Sequence, residues 1–323
     1  MENAIAMLAN NLLVPTILFF ALGLVAAVMR SDLSIPEGAA KVMSIYLLFA
    51  IGFKGGVSIS ESGGSGKLFA TLVAGAVLSL LMPFLAYGLL RVMTRLSQLD
   101  AAAVAGHYGS ISIVTFVTAA NLLETQGISS EGYIVAVAAV MEVPAILSAL
   151  WLAARSRPGT KLDAHLLRDI LANGSIVLLV GAFVIGAITG KDGLEQIDHF
   201  IIVPFTGVLC LFLLDMGLSA GRSLMENRRD LSVGLFAFGC LMPLIGSLLG
   251  LGLSMVIGLS QGGTFLFMTL AASASYIAVP AAMRIALPEA KSGVYLSASL
   301  GITFPFNLTL GLPLYAWLAG CAV

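Results

Sequence analysis

The chain has 323 residues, 59% of them hydrophobic and only 10% charged, with a formal net charge of −1 and a mean hydropathy of +1.03. A soluble domain carries about 25% charged residues, so this chain has too few charges to cover a water-exposed surface of its size. Composition therefore excludes a cytosolic enzyme, a nucleic-acid binder and a disordered chain, and identifies an integral membrane protein.

A helix that crosses the bilayer needs about 20 mostly apolar residues. Ten such stretches follow one another at 12–29, 38–56, 68–92, 101–122, 132–154, 174–190, 200–221, 231–259, 263–286 and 292–320. They are too long and too uniformly apolar for the alternating strands of a membrane barrel, so the sequence predicts an all-α protein. The leading residues MENAIAMLAN carry no positive charge and no small-residue cleavage site follows the first span, so no removable signal peptide is expected. Cys210, Cys240 and Cys321 stand apart in apolar surroundings and read as small core residues, not as a metal cluster or disulfide framework.

Basic residues orient the spans, because cytoplasmic loops collect Lys and Arg. Numbering the connections from the N-terminus, the odd ones and their helix ends hold thirteen of the sixteen basic residues, leaving Lys54, Lys67 and Lys191 on the even side. The odd loops are therefore expected in the cytoplasm and both termini outside. The polar stretch RSRPGTKLDAHLLRD at 155–169 then becomes part of a cytoplasmic linker, 155–173, between a first unit (1–154) and a second (174–323).

The two units echo each other. AIGFKGG at 50–56 matches DMGLSAG at 215–221, an offset of 165, and Leu81-Met82-Pro83 matches Leu241-Met242-Pro243, an offset of 160. Glu142-Val143-Pro144 in span five answers Thr303-Phe304-Pro305 in span ten. Five spans is an odd number, so the second copy enters the membrane from the opposite side. A five-plus-five inverted repeat is a transporter architecture.

Spans four and nine are the unusual pair. The middle of span four, Gly106-His107-Tyr108-Gly109-Ser110-Ile111-Ser112, is polar and contains glycine; the middle of span nine, Ser273-Ala274-Ser275-Tyr276-Ile277-Ala278-Val279-Pro280, has small hydroxyls and a proline. Pro280 lacks an N–H and its ring opposes the preceding turn, so a continuous helix is not expected in span nine, and the polar, glycine-containing middle of span four reads as the matching break. Irregular backbone at bilayer depth survives only inside protein or beside a wet cavity, and paired breaks at corresponding positions mark a binding site. Each break exposes a half-helix N-terminus with unpaired N–H groups and a partial positive charge, which suits an anion. Ser110, Ser112, Thr115, Ser273 and Ser275 would add hydroxyls for an oxyanion, or oxygens for a small hard cation. Close packing of small residues and a proline kink would leave the same composition, and a Ser or Thr often bonds its own helix carbonyl instead.

Ionisable residues inside spans are functional candidates because burying them is costly. His107 lies at the break in span four, as a ligand, a proton carrier or a structural hydrogen-bonder, and is expected neutral with one N–H donating. Glu142 precedes Pro144 and can serve as a cation ligand, a proton site or half of a structural pair. Lys54 is expected to extend outward to the surface instead of pairing with Asp215, which the topology puts at the opposite depth. Arg284 reads as a topology anchor.

Several long stretches carry a family resemblance: IPEGAAKVMSIYLLFAIGFKGGVSI, HYGSISIVTF, MEVPAIL, AASASYIAVPAAMRIALPEA and YLSASLGITFPF. With these in order, the chain resembles the sodium-dependent bicarbonate transporter family across essentially all ten spans. The resemblance implies two broken, crossing helices, core and gate domains, a homo-trimer, and elevator-like movement of the core. It also implies bicarbonate between the broken helices and sodium close by, near Ser110, Ser112 and Ser273. Tyr108, Gly109, Ser110, Ile111 and Ser112 fall on the family's first anion-binding segment, and Ser273, Ala274, Ser275 and Tyr276 on its second. The chain departs from the pattern at Tyr276 (Asp in the family), Ala278 (Ser), Val279 (Gly), Ile113 (Gly) and His107 (hydrophobic), and has Glu142 where the family has Asp. Losing the carboxylate at 276 removes the best sodium ligand near the anion. The cytoplasmic insert that the family places between the halves, associated with a cytosolic regulatory protein, is short here.

Together these readings predict a multi-pass protein of the bacterial inner membrane, surrounded by lipid, that moves a small monovalent anion. Bicarbonate is the first cargo and sodium or a proton the driving ion, without nucleic acid or a bound organic cofactor. A carrier of small organic carboxylates and a membrane sensor that no longer transports are the alternatives. No enzyme is expected: no nucleophile–base pair, metal-ligand spacing or phosphate loop stands in the sequence.

Overall fold

The computed structural model describes residues 14–62, 66–156, 174–227, 231–276, 279–280, 283, 287 and 289–322. The expected leaderless N-terminus, most of the 155–173 linker, Ala278 and Arg284 lie outside the described residues. Among the described residues there is no strand. The helices are α1 (Pro15–Val28), α2 (Glu37–Ser62), α3 (Gly66–Met93), α4 (Gln98–His107), α5 (Ile113–Thr125), α6 (Ile134–Val140) and α7 (Glu142–Ser156). The second half follows with α8 (Gly174–Ile201), α9 (Phe205–Glu226), α10 (Val233–Ile257), α11 (Gln261–Ala272) and α12 (Ser292–Ala322).

Among the described residues, seven of the helical stretches are long and apolar enough to cross a bilayer, against the ten spans expected. The difference has a physical cause. Span four is divided into α4 and α5, neither long enough alone, and span nine stops at Ala272 and resumes by Val279. For span one, the described helix is the 14-residue α1. Span five is only notched: α6 and α7 are separated by Met141, with Pro144 in the first turn of α7. Span ten stays continuous by widening, with π-helical stretches Ser297–Thr303 and Asn307–Gly311 on either side of Phe304–Phe306. The predicted end of span six at 190 is a kink, not a terminus. Gly190 takes φ 59° and ψ −150°, open only to glycine, and the helix then continues to Ile201.

Two helix pairs make the most extensive contacts, and both join the halves: α1 with α9, and α2 with α8. In each pair the residue numbers of the contacting positions rise together, so the helices run parallel. A methyl group on Gly23 would stand 2.1 Å from the Leu214 carbonyl oxygen, and one on Gly217 the same distance from that of Phe20. The second pair repeats this, with Gly56 at 2.0 Å from the Phe183 oxygen and Gly186 at 2.2 Å from that of Phe53. Backbones this close require small residues spaced four apart, which Gly52/Gly56 and Gly217/Gly221 supply. These are the glycines of the AIGFKGG and DMGLSAG echo.

The remaining helices, α3–α7 and α10–α12, pack on one another, α10 against α11 and α3, and α7 against α3 and α4. This second group touches the first mainly where α9 meets the widened part of α12 and where α2 and α8 meet α6. Large apolar side chains cover the outside: Ile188, Val203, Val233 and Val256 are each more than three-quarters exposed. In water such a surface would be an aggregation liability; against lipid it is at rest. Cys210 is buried as expected, but Cys240 is half-buried and Cys321 exposed, so the cysteines are not all core residues; all three are free thiols.

Candidate functional site

The two breaks meet. α4 starts with a cap, the Asp100 N–H donating to Ser97 Oγ at 3.0 Å, while Asp100 Oδ1 accepts from the Lys291 N–H at 2.9 Å. That anchors the helix at one end, and it stops at His107. The chain crosses the bundle through Tyr108–Ser112, and α5 begins with Ser112 as its N-cap. Ser112 Oγ accepts from the Thr115 N–H at 3.2 Å and from Thr115 Oγ1 at 2.8 Å. In span nine, α11 ends at Ala272, Ser273–Tyr276 is non-helical with Ser273 extended, and where the helix resumes the Val279 N–H points at Ser275 Oγ at 3.5 Å.

Three hydrogen bonds tie the crossing. The Ser275 N–H donates to the His107 carbonyl at 2.8 Å, His107 Nδ1 donates to the Ser275 carbonyl at 2.5 Å, and the Ser112 N–H donates to Ser273 Oγ at 2.9 Å. A carbonyl only accepts, so His107 carries its proton on Nδ1 and leaves Nε2 as an acceptor. Nε2 is buried with no hydrogen-bond partner, and the ring stacks on Tyr295 with centroids 4.8 Å apart. The Tyr276 hydroxyl is likewise buried without a partner; it lies toward the Ser112 side chain, short of hydrogen-bond geometry. The Tyr276 ring packs on Phe304 at 5.0 Å, and Phe304 on Phe20 of α1 at 5.3 Å.

Neighbouring spans complete the frame. Asn307 Nδ2 donates to the Ala272 carbonyl at 2.9 Å, satisfying the end of α11, and is itself held by the Tyr315 hydroxyl at 2.8 Å. Thr303 Oγ1 gives its proton to the Gly239 carbonyl at 2.6 Å, so the Tyr108 hydroxyl, 2.7 Å away, donates to Thr303. At the notch in span five, Ser79 Oγ donates to the Met141 carbonyl and accepts from the Ala145 N–H. Buried Glu142 accepts from Ser110 Oγ at 2.5 Å. Gly109 sits where a Cβ would be 2.6 Å from the Pro83 ring and from the Ser79 carbonyl, which seats the crossing directly on α3.

Of the residues singled out from sequence, Ser112, Thr115, Ser273, Ser275, Tyr276 and His107 come together at one point. Ser110 turns to Glu142 and Tyr108 to Thr303, while Ile111 and Ala274 are buried in the core. The three positions expected to neighbour sodium therefore divide, with Ser112 and Ser273 in contact and the Ser110 hydroxyl committed to a carboxylate. Among the described residues no group of three or more His, Cys, Asp or Glu side chains could hold a metal ion. Sequence reasoning missed Ser79, Thr303 and Asn307. Pro144, in the notch of span five, and Pro305, between the widened turns of span ten, were the available signal.

Lys54 does not extend freely to the surface. Its ammonium lies 2.9 Å from both carboxylate oxygens of Glu124, at the end of α5, and 5.6 Å from the centroid of the Phe205 ring. This pair borders a cavity of about 260 Å³ between the two groups of helices, whose walls include Phe116, Asn121 and Glu131.

Compared with known families, residues 15–320 match the one described as the Na+-dependent bicarbonate transporter superfamily. Among curated proteins none matches the chain significantly.

Proposed function

Since this chain belongs to the Na+-dependent bicarbonate transporter superfamily, we propose that it is a secondary active transporter of a small monovalent oxyanion, with bicarbonate the first cargo. The observation that carries this reading is the meeting of two serine-bearing helix breaks deep in the bundle, with the unpartnered Tyr276 hydroxyl turned toward Ser112, the N-cap of α5. The first N–H groups of a helix have no partner within it. At α5 they would take one oxygen of the anion, with Ser112, Ser275 and, after release from Glu142, Ser110 as hydroxyl partners. Tyr276 would donate a neutral hydrogen bond where the family has a carboxylate. This arrangement binds charge with dipoles and leaves no cation buried when the cargo departs.

The driving ion in this proposal is sodium, with Glu142 as the carboxylate within reach of the crossing and hydroxyls of Ser112, Ser273 and Thr115 as further hard oxygen donors. The paired helices α1–α9 and α2–α8 would form a gate and the remaining helices a core, related as an inverted repeat of residues 1–154 and 174–323. The core would carry the anion across by sliding against the gate. A homo-trimer in a bacterial inner membrane, with both termini outside, completes the proposal.

Radiolabelled bicarbonate uptake into proteoliposomes, with and without an inward sodium gradient, tests it. Saturable uptake that the gradient accelerates is expected; its absence, together with uptake of an organic acid, overturns the cargo. One observation favours that second reading. The Tyr276 ring packs on Phe304 and Val279 is fully buried, so one wall of the crossing is apolar and suits a short-chain carboxylate.

A further inference from the structure

The ion pair at the mouth of the cavity has a chemistry the transport reading does not use. Lys54 is the one basic side chain among the described residues lining this cavity. Its position is fixed by its neighbours. A Cβ on Gly55 would strike Val135 at 2.8 Å and one on Gly56 the Phe183 oxygen at 2.0 Å, so α2 is clamped on two sides around Lys54. The Phe205 ring supports the ammonium from below. Glu131, the other carboxylate in the lining, is engaged elsewhere, accepting from the Ser260 N–H and hydroxyl at 2.8 Å each.

Glu124 presents both oxygens to Lys54, and a carboxylate has the O–C–O shape of bicarbonate or acetate. The side chains of Lys54 and Glu124 are 29% and 53% exposed, so a dissolved anion can reach the pair. The cavity volume of 260 Å³ is that of about eight waters, ample for such an anion with part of its hydration shell. One wall, Phe116, lies a single turn along α5 from Ser112, the N-cap at the crossing, with the Phe116 N–H bonded to the Ser112 carbonyl. By the distribution of Lys and Arg this end of the molecule faces outside.

We propose that Lys54 is an outer binding site for the anionic cargo, held in waiting by Glu124 as a tethered carboxylate that the incoming anion displaces. The ammonium keeps one carboxylate-like partner throughout, and the displaced Glu124 carboxylate, 53% exposed, turns to water. The exchange also releases one bond between α2 of the gate and α5 of the core, so loading removes part of the latch between them. After it, the Asn121–Thr206 hydrogen bond at 3.0 Å still joins the two groups at this level. The inference rests on the transport reading.

The test is bicarbonate uptake by the full-length protein in proteoliposomes, alongside titration of 13C-bicarbonate linewidth against the same protein in nanodiscs. Removing the cation with Lys54→Gln is expected to raise KM and the linewidth-derived Kd about tenfold, the weight of one charge-assisted contact. Glu124→Gln removes the competitor and is expected to lower both about threefold or more, while Lys54→Arg, which keeps the positive charge, is expected to stay nearer the wild-type values than Lys54→Gln. Opposite signs for the two neutral variants are what a purely structural strut cannot give. If both variants move KM in the same direction, or leave it unchanged while their melting temperatures fall together, the outer site is overturned and the transport reading stands. Lys54-dependent binding without uptake of bicarbonate or acetate would instead overturn the transport reading and leave the outer site.

Discussion

Gly109 carries the sharpest prediction. In Gly109→Ala the new methyl would stand 2.6 Å from two atoms of the Pro83 ring and from the Ser79 carbonyl oxygen. Ordinary contact begins near 3.4 Å, so the crossing must retreat by roughly 0.8 Å unless α3 gives way. α3 has little room to give. The proline ring is rigid, and Ser79 is tied through its hydroxyl to Met141 and Ala145. Overpacking of this kind costs about 1–3 kcal/mol. The larger effect falls on function: the shift carries Ser110 and Ser112 with it, and a displacement near 1 Å at a binding centre costs on the order of 100-fold. Gly88→Ala is the control, on the same α3 with open space around the new methyl. Uptake in proteoliposomes, with thermal unfolding of the purified variants, reads both quantities. A Gly109→Ala protein that melts with wild type and transports within twofold of it would refute the seating of the crossing on α3.

Three further outcomes follow from the same geometry. Ser79→Ala leaves the Met141 carbonyl and the Ala145 N–H buried without their hydroxyl partner; a loss of about 1–3 kcal/mol per group is expected in denaturant unfolding. Ser112→Ala removes the cap from the Thr115 N–H, at a cost of about 0.5–2 kcal/mol, and should raise KM for the cargo, whereas Ser112→Thr should retain most of both. Gly56→Val forces α2 from α8, because even a Cβ would lie 2.0 Å from the Phe183 oxygen; its melting temperature should fall well below that of Gly181→Ala, whose added methyl meets open space.

The breaks in spans four and nine were legible because glycine, clustered serines and Pro280 are local signals, and local backbone rules act on them directly. The backbone leaves its helix at Tyr108–Ser112 and Ser273–Tyr276, within the windows read from sequence. The AIGFKGG and DMGLSAG echo was visible as a repeat, but its purpose, two backbone-to-backbone helix contacts, required the partners Gly23 and Gly186 from other spans. Partners distant in sequence are what pattern reading cannot supply. Lys54 was read by its own length and expected at the surface, yet Glu124, seventy positions away, holds it. Ser79 stands alone in an apolar run; its bonds to Met141 and Ala145 form at the notch of span five. The widened turns of α12 left no mark beyond two prolines.

The exchange of partners between α1–α9 and α2–α8 bears on biogenesis. Each of the first two helices finds its glycine-lined counterpart only beyond residue 174, past the linker. While the ribosome has delivered only the first half, the Gly23 and Gly56 faces stand in lipid with nothing to close on. Maturation must therefore wait for the second half to insert. A chain stopped in the linker should be held by the insertion machinery or degraded, and the two halves produced as separate polypeptides should recover each other in the membrane.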